Sequence, residues 1–407
     1  SIFHRKNYFY PDLPKGYQIS QYAMPFAVDG HLDVTLEDEH KRIGIERVHM
    51  EEDTAKNIHA GESGRIAGAL YSLIDFNRSG TPLVEIVTRP DIHTPEMARA
   101  FLNKLKNMLK YLDVSDCNME EGSLRCDANV SLRPAGSGEL GVKTELKNMN
   151  SFRHLEKGLA REIERQTALL DAGERVVQQT VHYEVATGEV HPLRSKEEAH
   201  DYRYFPEPDL VPLEATEAFI AETRGGMPEL PAARSQRYLE QYGIPAYDAD
   251  VLTSSRGLAD YYESCLEHFD DAKVVSNWLM GELLGYLNAT GTEISDFKVA
   301  PADLAALLAF VGDGKINTAT AKEVFAEMCN IGENPGKIIA ASGLKQISDE
   351  SELEGVIERI IEANAEQVEQ FKAGKEKVLG FFVGQVMKET KGRANPRVVN
   401  ELLRKKL

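Results

Sequence analysis

The sequence predicts an α+β fold in which antiparallel sheet dominates the first half and helices the second. Three observations carry this. Two-residue alternation recurs through about the first 220 residues, two well-capped amphipathic helices interrupt it, and helical periodicity takes over after a proline-rich stretch.

Taken in order, "HLDVTLEDEHKRIGIERVHM" alternates on both sides of an acidic turn and reads as a hairpin, and "GTPLVEIV" reads as a short apolar strand. A helix opens at Thr94 and Pro95, a good cap and first-turn pair, and turns Phe101, Leu102, Leu105, Met108, Leu109 and Leu112 inward. "SLRCDANVSLR" alternates as a strand and is joined to "VKTELKN" by the loop "PAGSGELG", which predicts a second hairpin. A second helix opens at Ser151, carries Leu155, Leu159 and Ile163, and stops at Gly173. The prolines of "DYRYFPEPDLVPL" preclude a regular helix or a central strand. Beyond them Leu304, Leu307, Leu308 and Val311 fall at helical spacing, and Gly312 and Gly314 end that run. The expected boundaries give a sheet domain over 1–227, a helical domain over 228–345 and a small helical tail over 346–407.

With 407 residues, 42% of them hydrophobic, the chain can bury a sizeable core, and no apolar run is long enough to span a bilayer as a helix. Four cysteines without a CxxC pair argue against a zinc site or a disulfide framework and point to a reducing compartment, the cytoplasm by default. No GxSxG, HExxH or dinucleotide fingerprint is present, and no cysteine has a nucleophile context, so a glutaminase or protease is not expected. The first residue is not Met and no signal sequence or helix start follows it, which predicts a chain beginning within a longer protein.

The acidic run Glu51, Glu52 and Asp53 reads most simply as a solvated loop. Alternation puts Glu85 on the face of Leu83 and Val87 in a strand that reads as buried, which is costly for a carboxylate unless it is paired, protonated or metal-bound. Arg78 is the ordinary pairing candidate. Glu51 and Glu52 point to opposite faces, so one of them can join Glu85, and two convergent carboxylates would suit hydrated Mg2+. Asp127 lies on the polar face of its strand, with Lys143, Glu145 and Lys147 on the next. The net charge of −18 disfavours indiscriminate binding to a polyanion, yet residues 371–407 hold ten Lys or Arg against three Glu. That run is an ordinary solvated helix pair unless an RNA context makes phosphate contact the better reading.

"RKNYFYPDLPKGYQISQ" at 5–21, "HMEED" at 49–53, "LIDFNRSGTPLVEI" at 73–86, "MEEGSLRCDANVSLRP" at 119–134, "ELKNMNSF" at 145–152, "DYRYFPEPDL" at 201–210, "SNWLMGEL" at 276–283 and "GFFVGQVMKETKGRANP" at 380–396 together resemble the GatB/GatE family of tRNA-dependent amidotransferases, over essentially the whole chain. The resemblance implies an antiparallel cradle domain with an ATP and Mg2+ site, a helical domain and a tRNA-binding tail. It implies a carbon–nitrogen ligase, using glutamine as nitrogen donor, that phosphorylates the side-chain carboxylate of Glu-tRNA(Gln) or Asp-tRNA(Asn). Ammonia then displaces phosphate to give the amide.

Carried over by position, Glu52 and Glu85 match the catalytic, metal-binding carboxylates, Lys6 and Asp127 match polar residues of the ammonia route, and the tail's Lys388, Lys391, Arg393 and Arg397 are expected to meet tRNA. Ammonia is implied to come from a partner amidase, with a small third protein clamping the pair into a heterotrimer. The family also begins with a segment bearing a GLEVH motif whose Glu and His complete the metal site. This sequence has none, so the cradle's N-terminal part and two metal ligands are expected to be missing. There is no room for the extra domain of the archaeal branch, which favours a bacterial or organellar type. A non-catalytic tRNA-binding scaffold is the alternative, with a standalone Mg2+-dependent phosphohydrolase behind it.

Overall fold

The computed structural model describes residues 1–37, 39–60, 69–147, 149–195, 202–342, 350–372, 375, 377–390, 394 and 396–407. The chain forms two compact units, Ser1–Pro228 and Glu229–Leu407. The first is α+β and the second is helical, as the change of periodicity predicts.

In the first unit the strands β1 (His4–Asn7), β2 (Tyr17–Ser20), β3 (Ala27–Leu36), β4 (Glu39–Glu52), β5 (Lys56–Ala60), β6 (Tyr71–Asp75) and β7 (Pro82–Thr88) precede helix α1 (Pro95–Tyr111). Strands β8 (Ala128–Val130) and β9 (Thr144–Lys147) follow, then α2 (Phe152–Asp171), β10 (Gln179–Glu184), β11 (Glu189–Ser195) and the two-residue β12 (Phe205–Pro206). The main sheet runs β12-β1-β2-β4-β3, with β7 also paired to β4, and all its pairings are antiparallel. Pro206 cannot donate to a sheet ladder, and it sits at the edge, where no donor is required.

The long β3–β4 hairpin turns at Glu37, whose φ of 53° is left-handed. Alternation buries Leu32 and Val34 on β3 and Ile43 on β4 against Met97, Phe101 and Leu102 of α1. Thr94 caps α1 by accepting from the Met97 N–H at 3.1 Å, the role its sequence position predicts.

A second sheet, ordered β11-β10-β9-β8, packs on α2. The β8–β9 hairpin forms as expected, with Asn129 opposite Glu145, but its first strand keeps only three of the alternating residues. β9 and β10 are parallel, because α2 crosses over between them and returns the chain in the same direction. Ser151 caps α2, and Gly173 just beyond its end adopts φ 76°. Buried within α2, Glu162 accepts from Thr144 Oγ1 at 2.7 Å, Gln166 Nε2 at 2.9 Å and the Arg165 guanidinium at 2.7 and 2.8 Å. Strands β5 and β6 form a separate two-stranded sheet.

Among its described residues the second unit has two hydrophobic cores. One gathers Tyr238, Tyr262, Leu279, Leu283 and Leu304 with the buried side of helix Thr318–Ile331, and the other gathers Leu353, Ile357, Phe382, Val386 and Leu403. Leu304, Leu307 and Leu308 lie buried on one face of helix Pro301–Gly312, as their spacing predicts. Among the described residues no helix is long and apolar enough to cross a membrane.

Candidate functional site

The three adjacent carboxylates at the end of β4 have three different fates. Alternation sends Arg47, His49 and Glu51 to one face of the sheet and Glu52 to the other. The pairing of His49 with Glu85, and of Ser20 with Glu51, gathers residues of three strands on the first face. His49, Glu51 and Glu85 there offer donor atoms that all lie within 4.8 Å of one another.

Glu51 is nearly buried and accepts from Ser20 Oγ at 2.8 Å and Gln18 Nε2 at 3.1 Å. His49 Nε2 lies 3.4 Å from Glu51 Oε1 and 3.7 Å from Glu85 Oε2. Burial alone would raise the Glu51 carboxyl, but the His49 hydrogen bond, the Lys6 charge and the Ser20 hydroxyl outweigh it and hold the group below its ordinary value. Glu51 is therefore an anion at neutral pH although it is almost out of water.

The expected convergence of Glu52 on Glu85 is not what the structure brings together. Glu52 faces the opposite side, where it pairs with Lys15 and accepts from the Ile19 N–H at 2.9 Å. Pairing His49 opposite Glu85 obliges the carboxylate two residues along, Glu51, to share that face, and the next one, Glu52, cannot. Asp53 is buried too, held by Arg125 with Arg78 Nη2 at 3.7 Å. Arg78 is therefore engaged elsewhere and does not serve as the Glu85 partner. Nor is β7 the buried strand it resembles, since the Glu85 side chain is 47% exposed and Val84 41%.

An aromatic wall flanks the cluster. Tyr22 meets His49 edge-on with centroids 6.1 Å apart and stacks on Tyr204 at 5.5 Å, and Lys6 lies over the Tyr202 ring at 4.9 Å. Burial, followed by the nearby Glu51 charge, raises the Tyr204 hydroxyl well above its usual value, so it stays a neutral donor. Lys6 thus adjoins the carboxylates, whereas Asp127, just before β8, pairs with Lys147 of β9 at 3.1 Å. In the second unit Lys388 is exposed near the end of helix Val378–Glu389. Lys391 and Arg393 lie outside the described residues, as does the side chain of Arg397 in helix Pro396–Lys406.

Glu51 and Glu85 supply the oxygen ligands that a hard divalent cation prefers. His49 fits less well as a ligand, because its Nδ1 is buried with no partner among the described residues. A metal on Nε2 would require an acceptor for Nδ1–H there. With Nε2 protonated instead, the imidazole orients the Glu51 carboxylate. Burial raises the thiols of Cys126 and Cys265 to about 12 and of Cys329 to about 11, so none of these is a thiolate nucleophile at neutral pH.

Residues 1–221 match the family model of the GatB/GatE catalytic domain, and residues 260–407 match that of the GatB domain. The chain is similar to the B subunit of the aspartyl/glutamyl-tRNA(Asn/Gln) amidotransferase of Caldanaerobacter subterraneus subsp. tengcongensis, 53% identical over 403 residues, 99% of this chain and 83% of the relative. The protein of that name from Carboxydothermus hydrogenoformans is 53% identical over 405 residues, 100% of this chain and 84% of the relative. That from Geobacter sulfurreducens is 52% identical over 407 residues, with the same coverage.

Proposed function

The chain belongs to the GatB/GatE family, and on that premise we propose that it is the carboxyl-activating component of a tRNA-dependent amidotransferase. It acts on Glu-tRNA(Gln), Asp-tRNA(Asn) or both. ATP phosphorylates the side-chain carboxylate, and ammonia released from glutamine by a partner amidase replaces the phosphate, with a small third protein completing the heterotrimer. The observation that carries this reading is the convergence of Glu51, Glu85 and His49 on one sheet face.

In this reading Glu51 and Glu85 hold Mg2+, which when bound offsets charge on the transferring phosphoryl group. Glu51 is kept ionised and aimed by Ser20, Gln18 and His49. Glu85, half open to solvent, is the side from which substrates enter. Tyr22 and Tyr204 wall the face, and Lys6 beside Tyr202 supplies a cation at its border. Asp127 and Lys147 provide a paired polar surface for the ammonia route.

The test uses the assembled complex with ammonium salt in place of glutamine. Amide formation on Glu-tRNA should require both ATP and a divalent metal. Mn2+ affinity, read by its paramagnetic resonance, should fall about 10–100-fold in Glu85→Gln. Tight tRNA binding without ATP-dependent amide would instead identify a scaffold.

The tail over 346–407 is proposed to bind tRNA through Lys388, Lys391, Arg393 and Arg397. Each phosphate contact adds close to one unit to the salt slope of binding. Deleting 346–407 should therefore weaken tRNA binding and flatten its dependence on salt. Unchanged affinity across a salt series would leave these residues as a solvated surface.

A further inference from the structure

We propose that Arg47 is an oxyanion-binding residue of this site, its guanidinium held on Tyr22 to receive a phosphoryl or carboxylate oxygen of the substrates. The inference rests on the function proposed above and deepens it.

Arg47 precedes His49 by two residues on β4 and shares its face. Both side chains touch one ring: the guanidinium carbon lies 4.5 Å from the Tyr22 centroid, and the His49 imidazole meets the same ring edge-on. Tyr204 stacks on Tyr22 at 5.5 Å with planes 13° apart, so the platform is itself immobilised. The cation is thus held next to His49, on the face that carries Glu51 and Glu85, with little freedom left to lose on binding.

Its donors are only partly used. Nη1 donates to the exposed Glu46 at 2.8 Å, while Nε is buried and has no acceptor among the described residues. A buried charged donor without an acceptor is costly, and the 17% of the side chain that stays exposed is where an arriving oxyanion would meet the guanidinium. The need is also electrostatic. A carboxylate substrate and a nucleotide both bring negative charge toward two fixed carboxylates, and a fixed guanidinium offsets part of that repulsion. If Arg47 served only to brace Tyr22, its loss would lower stability and leave substrate recognition alone.

The experiment measures kcat/KM and both KM values for ammonia-dependent amidation by the assembled complex, with melting temperature and Mn2+ affinity as controls. Arg47→Gln should lower kcat/KM by about 10–100-fold, and Arg47→Lys should recover only part of it, since an ammonium keeps the charge without the planar fork. A rise in the KM for ATP assigns the oxyanion to the phosphoryl group; a rise in the KM for aminoacyl-tRNA assigns it to the carboxylate. Tyr22→Leu should show a smaller loss of the same kind, and Tyr22→Phe should recover most of it by restoring the ring face. Arg47→Gln with unchanged kcat/KM, or with a loss that Arg47→Lys fully repairs, overturns the assignment. Where Arg47→Gln does not fold, equal values for Tyr22→Leu and the unmodified complex overturn it. Absence of ATP-dependent amide in the unmodified complex removes the functional reading as well.

Discussion

Replacing Glu51 by Gln should reduce ATP-dependent amide formation by the assembled complex by about 100-fold or more, and the loss should exceed that of Glu52→Gln. The amide is nearly isosteric, so the acceptor bonds from Ser20 and Gln18 are in part retained while the charge is lost. The proposed metal site would keep one ionised carboxylate, Glu85, in place of two. His49 keeps its place on the sheet but loses the nearer of its two carboxylate neighbours. Glu52→Gln removes instead the ion pair to Lys15 on the opposite face, and its effect should appear as a lower melting temperature. Steady-state rates with saturating ammonium, alongside thermal unfolding, separate the two. A larger catalytic loss in Glu52→Gln would return the metal to the other side of the sheet.

The second large effect concerns stability. Glu162→Ala should destabilise the first unit by about 3–5 kcal/mol, the scale for removing one partner of a buried ion pair. Four hydrogen bonds end on this fully buried carboxylate, so its removal leaves the buried Thr144 hydroxyl without its acceptor and the Arg165 guanidinium without its anion, while Gln166 Nε2 keeps Val130 O and Thr144 Oγ1. Its titration sets the direction with pH. Burial would raise the carboxyl, but Arg165, Gln166 and Thr144 outweigh that and hold it below its ordinary value. Its contribution is therefore complete above the unfolded value of about 4.3 and is lost as pH falls through the lower folded value. Thermal unfolding of Glu162→Gln should show a shallower acid decline than the unmodified protein. Parallel acid limbs would show that other carboxylates govern it.

Whatever local chemistry decides was legible in the sequence. Thr94 with Pro95, Ser151 and Gly173 mark helix ends because capping involves residues within a few positions of each other. The change from two-residue to helical periodicity likewise places the α+β and helical halves. The site was legible only as a set of residue types. That one of Glu51 and Glu52 must turn away from Glu85 follows from alternation, but which one depends on the register of β4 against β7, and no nearby residue states that register. His49 was visible as the first letter of "HMEED", yet its role depends on the same register. The platform of Tyr22 and Tyr204 joins residues 182 positions apart in the chain (204 − 22) and carries no local pattern. The long alternating run before β9 misled by its regularity, for only its middle pairs as β8.

The two-residue strand β12 also fixes an order of events in synthesis. It closes the outer edge of β1, and just beyond it Glu207 takes the Arg5 guanidinium in a bidentate grip at 2.7 and 2.8 Å. The partners are 202 positions apart. At about 5–20 residues per second, a ribosome needs about 10–40 s to travel that distance. Throughout that interval β1 leaves the tunnel with an unpaired edge and a cation lacking its anion, available to neighbouring nascent chains. Completion of the main sheet therefore waits on translation through residue 207.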